Sequence, residues 1–363
     1  MKNILLIAGM LATTSPAFSQ YTVQGKIDNF AGTVFMTTAE AGGGTDTICS
    51  AATSDGTFNF KGASAPQAIA AEIHAAGTRL IIPIFLEDGC DYKVTADTKK
   101  TSTYSVSGGG CLQQCAAEFY NIKKFANDWR DSITADFKKQ YDITDPFWRV
   151  QLRGALKKVD AKYEQMEDSL LRKFDNAVSA YTVASRLRQL TLDKTIHSKY
   201  DLLGSTARES VYGHVIKPFA DKISRIVVGA TAPDFEMQTP EGKMISLHGV
   251  KAKVKILDFW ASWCGPCRAE NPNMRNIYKK FHDKGLEILS ISLDSDKEAW
   301  IKAIAADEMT WKHACELGNG KIVRDVYYVF AIPHIFVLDE NNKIISEGMR
   351  GEELEKFIEQ QFQ

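Results

Sequence analysis

The fold of the C-terminal part of this chain is decided by the stretch Leu257-Asp258-Phe259-Trp260-Ala261-Ser262-Trp263-Cys264-Gly265-Pro266-Cys267. Its apolar first part, which begins at Val254, predicts a buried strand. A helix is predicted to open at Cys264, because Pro266 fits a first helical turn, in which its missing N–H costs no hydrogen bond. The stretch therefore predicts a strand that delivers two cysteines to the start of a helix.

These two cysteines have the spacing and position of a redox pair. Unpaired backbone N–H groups and the helix dipole stabilise a thiolate at a helix N-terminus. Cys264 is therefore predicted to attack a substrate disulfide, and the less exposed Cys267 to displace the product thiol. Half of a zinc site is the alternative, but the sequence has no second Cys-x-x-Cys and no spaced histidine pair to complete it. We predict redox chemistry without a metal.

The residues around this stretch predict an α/β domain over 226–363. Strands are predicted at 254–260, 286–293, 335–338 and 344–347, and helices from Cys264 and at 297–306, 322–329 and 352–361. Parallel strands connected through helices, followed by a closing hairpin, predict a sheet with helices on both faces.

With those elements in place, the stretch 257–267 resembles the active-site segment of thioredoxin. The wider pattern, with Gly229–Phe235 before it and Arg268, Glu270 and Pro272 after it, is similar to the exported TlpA/ResA type. The resemblance implies a thioredoxin fold without a cofactor. It also implies an exported reductase or isomerase for disulfides of protein substrates, apocytochrome c among them, with a membrane electron donor.

The same resemblance implies roles for two carboxylates. Asp258 matches thioredoxin's buried acid, which exchanges a proton with Cys267, although the ResA type usually has an uncharged residue there. Glu270 matches the acidic residue that the ResA type keeps near its cysteines. Either carboxylate could instead be structural, since Glu270 would favour the helix dipole. Asp258 within an apolar strand is harder to explain without a partner or a role.

The substrate-binding residues are also implied by the resemblance. They are Trp263, Gly265 and Pro266 around the cysteines, and Ile332 with Pro333, which matches the family's cis-proline. Backbone groups beside that proline would pair with an extended peptide. His334 follows where the family commonly has threonine, and we expect it to be a packing or solvent-facing residue. Trp260 is expected to be core.

Three further regions precede this domain. Residues 1–19, with Lys2, an apolar run over 4–12 and small residues near Ser19, predict a cleaved signal peptide and hence a periplasmic protein. Residues 20–110 alternate short β-prone stretches with turn residues, which predicts an antiparallel sheet or a sandwich. The glycine triplets at 42–44 and 108–110 lack the context of a phosphate loop and predict a hairpin loop and a domain boundary.

Residues 111–225 are predicted to form a helical region. One apolar stripe has helical spacing: Leu152, Leu156, Val159, Tyr163, Met166 and Leu170. Asp145 and Pro146 suit the start of its helix. The stripe fits a homodimer seam, although packing within its own domain is more common. The regions before 226 resemble, more loosely, the uncharacterised N-terminal domain of exported bacterial thioredoxin-like proteins.

The composition of the chain argues against two classes of binding partner. The net charge of -1, from 44 basic and 45 acidic residues, gives no field that would attract nucleic acid or an anionic membrane. Seven cysteines leave at least one without an intramolecular partner. Cys111 and Cys115 are predicted to be small buried residues or a local disulfide, and Cys315 a small buried residue.

Two other functions are compatible with the sequence. A peroxidase on the same fold would open with a similar Pro-Asp-Phe, but the Pro-x-x-x-Thr-x-x-Cys segment that peroxiredoxins share is absent. A binding protein that holds Cu(I) or a partner would use the thiols as soft ligands, although neither a methionine cluster nor a further cysteine cluster supports it.

Overall fold

The computed structural model of the chain describes residues 20–39, 46–63, 69–101, 103–141, 147–318 and 320–363. The described chain divides into two compact units, one up to Leu187 together with Lys199–Ile216, and one formed by Arg188–Ser198 with Lys217–Gln363. None of the helices in these ranges combines the length and apolar character needed to cross a bilayer. The predicted signal peptide, Gly42–Gly44 and the pair Asp145-Pro146 lie outside the described residues.

The first unit begins with eight described strands, which form two four-stranded sheets. They are β1 (Gln20–Asp28), β2 (Gly32–Thr38), β3 (Thr47–Thr53), β4 (Thr57–Ala63), β5 (Ile69–Ala75), β6 (Ile81–Leu86), β7 (Asp91–Asp97) and β8 (Tyr104–Gly108). The sheet orders are β4-β1-β7-β8 and β3-β2-β5-β6. One cluster of buried side chains, among them Val23, Ile73 and Ile84, joins both sheets, as a sandwich requires.

The expectation of an all-antiparallel arrangement was wrong at one pairing. β1 runs parallel to β7, with Thr22 opposite Asp91 and Asp28 opposite Asp97. A parallel pair needs a long crossover rather than a tight turn, and here the crossover includes the whole second sheet.

Seven described helices follow, as predicted for 111–225. They are α1 (Cys111–Gln140), α2 (Phe147–Lys173), α3 (Ala177–Ala184), α4 (Leu187–Leu192), α5 (Ile196–Asp201), α6 (Ser205–Glu209) and α7 (Val211–Ile223). α1 and α2 form an antiparallel pair, in which Glu118 meets Lys173 and Arg130 meets Asp160 at 2.8 Å each. The predicted stripe lies on the partly buried side of α2, with Val159 fully buried.

The glycines at 108–110 form the junction between the sandwich and α1. The Glu87 carboxylate accepts hydrogen bonds from the backbone N–H groups of Gly110, Leu112 and Gln113 at 2.9, 3.2 and 3.1 Å. An acidic side chain of the protein therefore occupies the helix N-terminus, where the exposed N–H groups favour negative charge. A carboxylate at this position argues against a phosphate loop, and the domain boundary stays a prediction because the compact unit continues to Leu187.

The second unit is built on a sheet whose seven described strands have the order β10-β9-β13-β12-β11-β14-β15. They are β9 (Glu236–Gln238), β10 (Met244–Ser246), β11 (Val254–Trp260), β12 (Leu286–Ser292), β13 (Lys312–Cys315), β14 (His334–Asp339) and β15 (Ile344–Glu347). The helices are α8 (Gly265–Phe281), α9 (Lys297–Ala306) and α10 (Gly351–Gln360). β11, β12 and β13 are parallel, whereas β14 is antiparallel to β11 and to β15.

Three short strands, β9, β10 and β13, were not predicted, and the helix expected at 322–329 was wrong. That segment contains only a π-helical turn, Ile322–Val326. The central strand β11 is buried at every position, because it has hydrogen-bonded neighbours on both sides and side chains packed on both faces. It is this strand that leads to the two cysteines.

Candidate active site

Cys264 and Cys267 lie at the beginning of α8 and are joined by a disulfide, with their Cα atoms 5.3 Å apart. Cys264 is the N-cap residue, and its Sγ accepts the backbone N–H of Cys267 at 3.2 Å. Pro266 lies in the first turn, as predicted. The strand-to-helix junction therefore places the Cys264 sulfur at the positive end of the helix dipole.

Exposure differs sharply among the residues around this pair. Cys264 is 5% exposed and Cys267 2%, so Cys267 is the less exposed of the two but both are buried in the disulfide form. Trp263 is 68% exposed, whereas Trp260 is fully buried, as predicted for both. Gly265 and Pro266 are exposed. A partner that reaches the disulfide would thus meet these exposed residues first.

The turn before Cys264 is held by a buried carboxylate that the sequence analysis did not identify. Asp294, 1% exposed, accepts hydrogen bonds from the backbone N–H of Ser262 at 2.8 Å and from its hydroxyl at 2.6 Å. Arg268 donates to the Ser262 carbonyl at 3.2 Å and pairs with Asp307. These contacts fix the loop that presents the cysteines, as a preorganised site requires.

Asp258 is 4% exposed and lies on the face of β11 that packs under α8. Side chains alternate along a strand, so Asp258 shares its face with Ile256 and Trp260, which belong to the same buried cluster as both cysteines. Burial raises the pKa of Asp258 to about 7, a shift that Glu270 increases and that Ser290 and Arg350 oppose. A buried carboxyl that titrates near neutrality can accept or release a proton there.

The neighbours of Asp258 form a short hydrogen-bonded chain. Ser290 Oγ donates to Asp258 Oδ2 at 2.9 Å, and the Trp311 indole N–H donates to Ser290 Oγ at 2.9 Å. Ser290 lies opposite Asp258 in the parallel ladder of β11 and β12. The sequence offered no signal for either partner, since both lie more than thirty residues away, Ser290 in β12 and Trp311 directly before β13.

Glu270 has a different environment. Its Oε1 accepts the backbone N–H of Gly351 at 2.8 Å and the Asn273 side-chain amide at 2.7 Å. Glu270 therefore attaches α8 to the start of α10, while its charge still reaches Asp258.

The Ile332–Pro333 peptide bond is cis, as the resemblance implied. Pro333 is buried, and Ile332 packs against the cluster that contains both cysteines. His334 Nε2 lies 2.8 Å from Glu347 Oε1, and the His334 ring contacts Phe336 with centroids 5.0 Å apart. His334 is thus a packing residue that is also within hydrogen-bond distance of Glu347.

The other five cysteines carry free thiols. Cys115 and Cys315 are buried, as predicted, and burial raises the pKa of both thiols. Cys111 is exposed, so its predicted burial was wrong, and the local disulfide with Cys115 is not formed.

One described carboxylate cluster has the proximity of metal ligands, Glu164, Glu167 and Asp168. Lys199 and Arg186 form ion pairs with it, which offset most of its negative charge.

Comparison with known proteins agrees with this geometry. A model of the AhpC/TSA family matches residues 228–346, and a model described as a domain of unknown function, DUF4369, matches residues 21–112. The thiol-disulfide oxidoreductase ResA of Bacillus cereus is 32% identical over 142 residues, 39% of this chain and 80% of that protein. ResA of Bacillus subtilis is 33% identical over 127 residues, 35% of this chain and 69% of that protein.

Among solved structures, the thioredoxin domain of a thiol-disulfide oxidoreductase from Bacteroides vulgatus is 32% identical, with a TM-score of 0.36, over 38% of this chain and 99% of that one. In this α/β domain a central strand leads to a Cys-x-x-Cys disulfide at a helix N-terminus. These features define a thioredoxin-like thiol-disulfide oxidoreductase. The chain belongs to the ResA family of these enzymes. The predicted fold class, with a β-rich region and a helical region before the thioredoxin-like domain, is confirmed.

Proposed function

We propose that this thiol-disulfide oxidoreductase is exported and that it reduces or isomerises disulfides of protein substrates at Cys264 and Cys267. The observation that carries the proposal is the position of the pair, in which the N-cap sulfur of Cys264 accepts the Cys267 N–H. In the reduced protein the same N–H and the helix dipole favour the Cys264 thiolate.

The exchange proceeds in two displacements. The Cys264 thiolate attacks one sulfur of the substrate disulfide, which forms a mixed disulfide and releases one substrate thiolate. Cys267 then loses its proton and attacks the Cys264 sulfur, which restores the observed disulfide and releases the second substrate thiol. In sum, two electrons and two protons pass from the enzyme to the substrate.

Asp258 is the proton acceptor that the geometry favours for Cys267. It lies on the face of β11 that packs against the cysteines, and its pKa of about 7 keeps both protonation states accessible near neutral pH. Glu270 supports this assignment indirectly, because its carboxylate already accepts two hydrogen bonds at the start of α10. Glu270 would then adjust the pKa of Asp258 rather than take the proton itself.

The substrate surface would consist of Trp263, Gly265 and Pro266 beside the cysteines, together with the Ile332–Pro333 backbone. Their exposure at the first turn and the packing of Ile332 against the cysteine cluster support this role. An extended peptide that paired with this backbone would be held by main-chain hydrogen bonds.

The cellular setting follows from the N-terminal pattern and from the family. Residues 1–19 have the charged start, apolar run and small-residue site of a signal peptide, with cleavage near Ser19 and a periplasmic location. In an oxidising compartment, the reductase would be re-reduced by a membrane electron donor, and apocytochrome c would be one substrate. A homodimer through the helical region stays a prediction, and residues 20–110 and 111–225 are proposed as separate N-terminal regions.

The reduction potential of the Cys264/Cys267 pair tests the assigned direction. The mature protein would be equilibrated with dithiothreitol or glutathione buffers, with Cys264→Ser as the control. A potential near that of thioredoxin, about −270 mV, is expected for a reductase, whereas one near about −120 mV would identify an oxidase and contradict the proposal. The mass of the protein recovered from the periplasm would show whether the chain is cleaved near Ser19.

A further inference from the structure

Arg350 connects the start of α10 with the backbone at Pro333. It is the N-cap residue of α10, and its guanidinium Nη2 donates a hydrogen bond to the carbonyl oxygen of Pro333. This residue was not singled out by its sequence context, since Met349-Arg350-Gly351 carries no motif.

The position of Arg350 is fixed from the side of α8. Glu270 accepts the backbone N–H of Gly351, the residue after Arg350, at 2.8 Å, and Asn273 donates to the Gly351 carbonyl at 3.2 Å. Both Glu270 and Asn273 lie on α8, the helix that starts beside Cys264. The chain of contacts thus runs from the cysteine helix through Arg350 to the cis-proline.

The Pro333 carbonyl lies immediately before β14, whose ladder with β11 begins at His334 opposite Phe259. A carbonyl at this point is not held by that ladder, and proline has no N–H of its own. A guanidinium supplies a charge-assisted hydrogen bond, which is about twice as strong as a neutral one. The contact of Arg350 therefore fixes the peptide plane that directly follows Ile332–Pro333, the pair proposed to bind substrate.

We propose that Arg350 is a positioning residue for thiol-disulfide exchange with protein substrates, because it holds the Pro333 carbonyl and so fixes the backbone that pairs with an extended peptide. This inference rests on the proposed function of the pair Cys264/Cys267. It assigns to Arg350 no contact with the reacting sulfurs. Small disulfides, which form no strand-like pairing, should depend on it little.

The charge of Arg350 has a second effect, on Asp258. The charged groups that reach Asp258 are Glu270 from α8, which raises its pKa, and Arg350 from the start of α10, which lowers it. Ser290 faces the same carboxyl from β12. Removal of the Arg350 charge should therefore move the Asp258 pKa upward, and a lysine, which keeps the charge without the planar fork, should not.

The experiment compares two substrates in each variant. The reduced protein is mixed with insulin, as a protein disulfide, or with hydroxyethyl disulfide, as a small one, and the rate constant of enzyme oxidation is measured for both. The informative quantity is the ratio of the two rate constants, because any loss of folded protein cancels in it. The variants are Arg350→Met and Arg350→Lys, with Arg225→Met, an exposed arginine of the same unit, as the matched control.

We expect the insulin-to-hydroxyethyl-disulfide ratio to fall about tenfold in Arg350→Met, the effect of losing one hydrogen bond to a charged group. Arg350→Lys should lose less, and Arg225→Met should keep the wild-type ratio. The rate constant of enzyme oxidation should change with pH around a midpoint near neutrality. This midpoint should move to higher pH in Arg350→Met and stay in place in Arg350→Lys.

An unchanged ratio in Arg350→Met, or a midpoint that moves equally in both Arg350 variants, would overturn the inference. Wild-type protein that oxidises with neither substrate would overturn the proposed function, and this inference with it. The two failures are therefore distinguishable by the wild-type reaction alone.

Discussion

Ser290 lies between Asp258 and Trp311, since its hydroxyl donates to the carboxylate and accepts the indole N–H, each at 2.9 Å. All three side chains are buried. A hydroxyl that already accepts from Trp311 has its hydrogen directed at Asp258, so the contact favours the ionised carboxyl and opposes the effect of burial. The proton affinity of Asp258 is therefore set by its burial, by Ser290 of β12 and by the charges of Glu270 and Arg350.

The stability of the folded protein should depend on Asp258 with a definite sign. Its folded pKa of about 7 lies above the ordinary value of 3.8, so the folded state binds the proton more tightly than the unfolded state does. Below pH 4 the carboxyl is protonated in both states. Between pH 4 and pH 7 the unfolded state has lost this proton and the folded state still holds it, so stability falls across that window by as much as ~4 kcal/mol and levels off once the folded carboxyl also titrates above pH 7.

The variant Asp258→Asn removes this dependence. Urea unfolding of the oxidised protein should show the variant more stable than wild type at pH 8, with the difference vanishing toward pH 4. Asp283→Asn, at an exposed position, serves as the control for a lost carboxylate. A variant that is less stable than wild type at both pH values would contradict the assigned titration.

The substitution Asp258→Asn should lower activity, although it raises stability at pH 8. If Asp258 accepts the proton of Cys267, as we propose, its loss slows the second displacement by about a hundredfold and removes the midpoint near pH 7 from the pH profile of that step. Stopped-flow measurement of mixed-disulfide decay would show this. If Glu270→Gln removed the midpoint and Asp258→Asn kept it, the proton acceptor would be Glu270.

Removal of the second cysteine should trap the first displacement. Cys267→Ser leaves Cys264 able to attack, but nothing can then displace the product, so a covalent adduct with a disulfide substrate accumulates. Gel electrophoresis without reductant, followed by mass spectrometry, would detect it. The double variant with Cys264→Ser is the control, and adducts that persisted in it would point to an exposed thiol such as Cys111.

Glu347 is predicted to contribute to stability through two partners. Burial would raise its pKa, yet His334 and Lys194 hold that pKa below its ordinary value. Glu347→Gln leaves Lys194, 11% exposed, without its counter-charge and should lower the free energy of unfolding by ~2 kcal/mol at pH 7. The pair's contribution is present above the unfolded pKa of Glu347 and is lost as the pH falls through the folded pKa.

Thermal unfolding at pH 7 and pH 4 would measure this effect of Glu347. The exposed pair Glu352 and Lys356 provides the comparison, since Glu352→Gln should leave stability unchanged. Equal melting temperatures for wild type and Glu347→Gln at pH 7 would show that this partly buried pair is energetically neutral.

Reaction with peroxide separates this enzyme from the peroxidases that share its fold. We expect hydrogen peroxide to oxidise the reduced pair at least a hundredfold more slowly than insulin does, because the sequence has no Pro-x-x-x-Thr-x-x-Cys segment around a peroxidatic thiol. Peroxide oxidation as fast as insulin oxidation would reverse the assignment.

The central strands and the cysteine site were predictable because their signals are local. β11 is a mainly apolar run, interrupted by Lys255 and Asp258, and the pair at Cys264 and Cys267 is defined by its own spacing. β13 was not predictable, since it has only four residues, begins with Lys312 and His313 and shows no alternation. The parallel pairing of β1 with β7 could not be predicted either, because local sequence patterns detect hairpins between neighbouring strands.

The supporting residues of the site escaped the sequence analysis for a related reason. Asp294, Ser290 and Arg350 act through contacts with residues 17 to 32 positions away, so nothing in their immediate sequence context marks them. Cys264, Cys267 and Pro333 carry recognisable motifs because their chemistry depends on adjacent residues.

The contact of Glu87 with the start of α1 bears on how this chain can be divided. Three backbone N–H groups of residues 110–113 reach that one carboxylate, and Gln113 Oε1 in return accepts the N–H of Phe85. A cut after residue 110 would leave the helix uncapped and a sandwich strand with an unpaired amide. The piece that recombination could transfer intact between proteins is therefore the sandwich together with at least the first turn of α1.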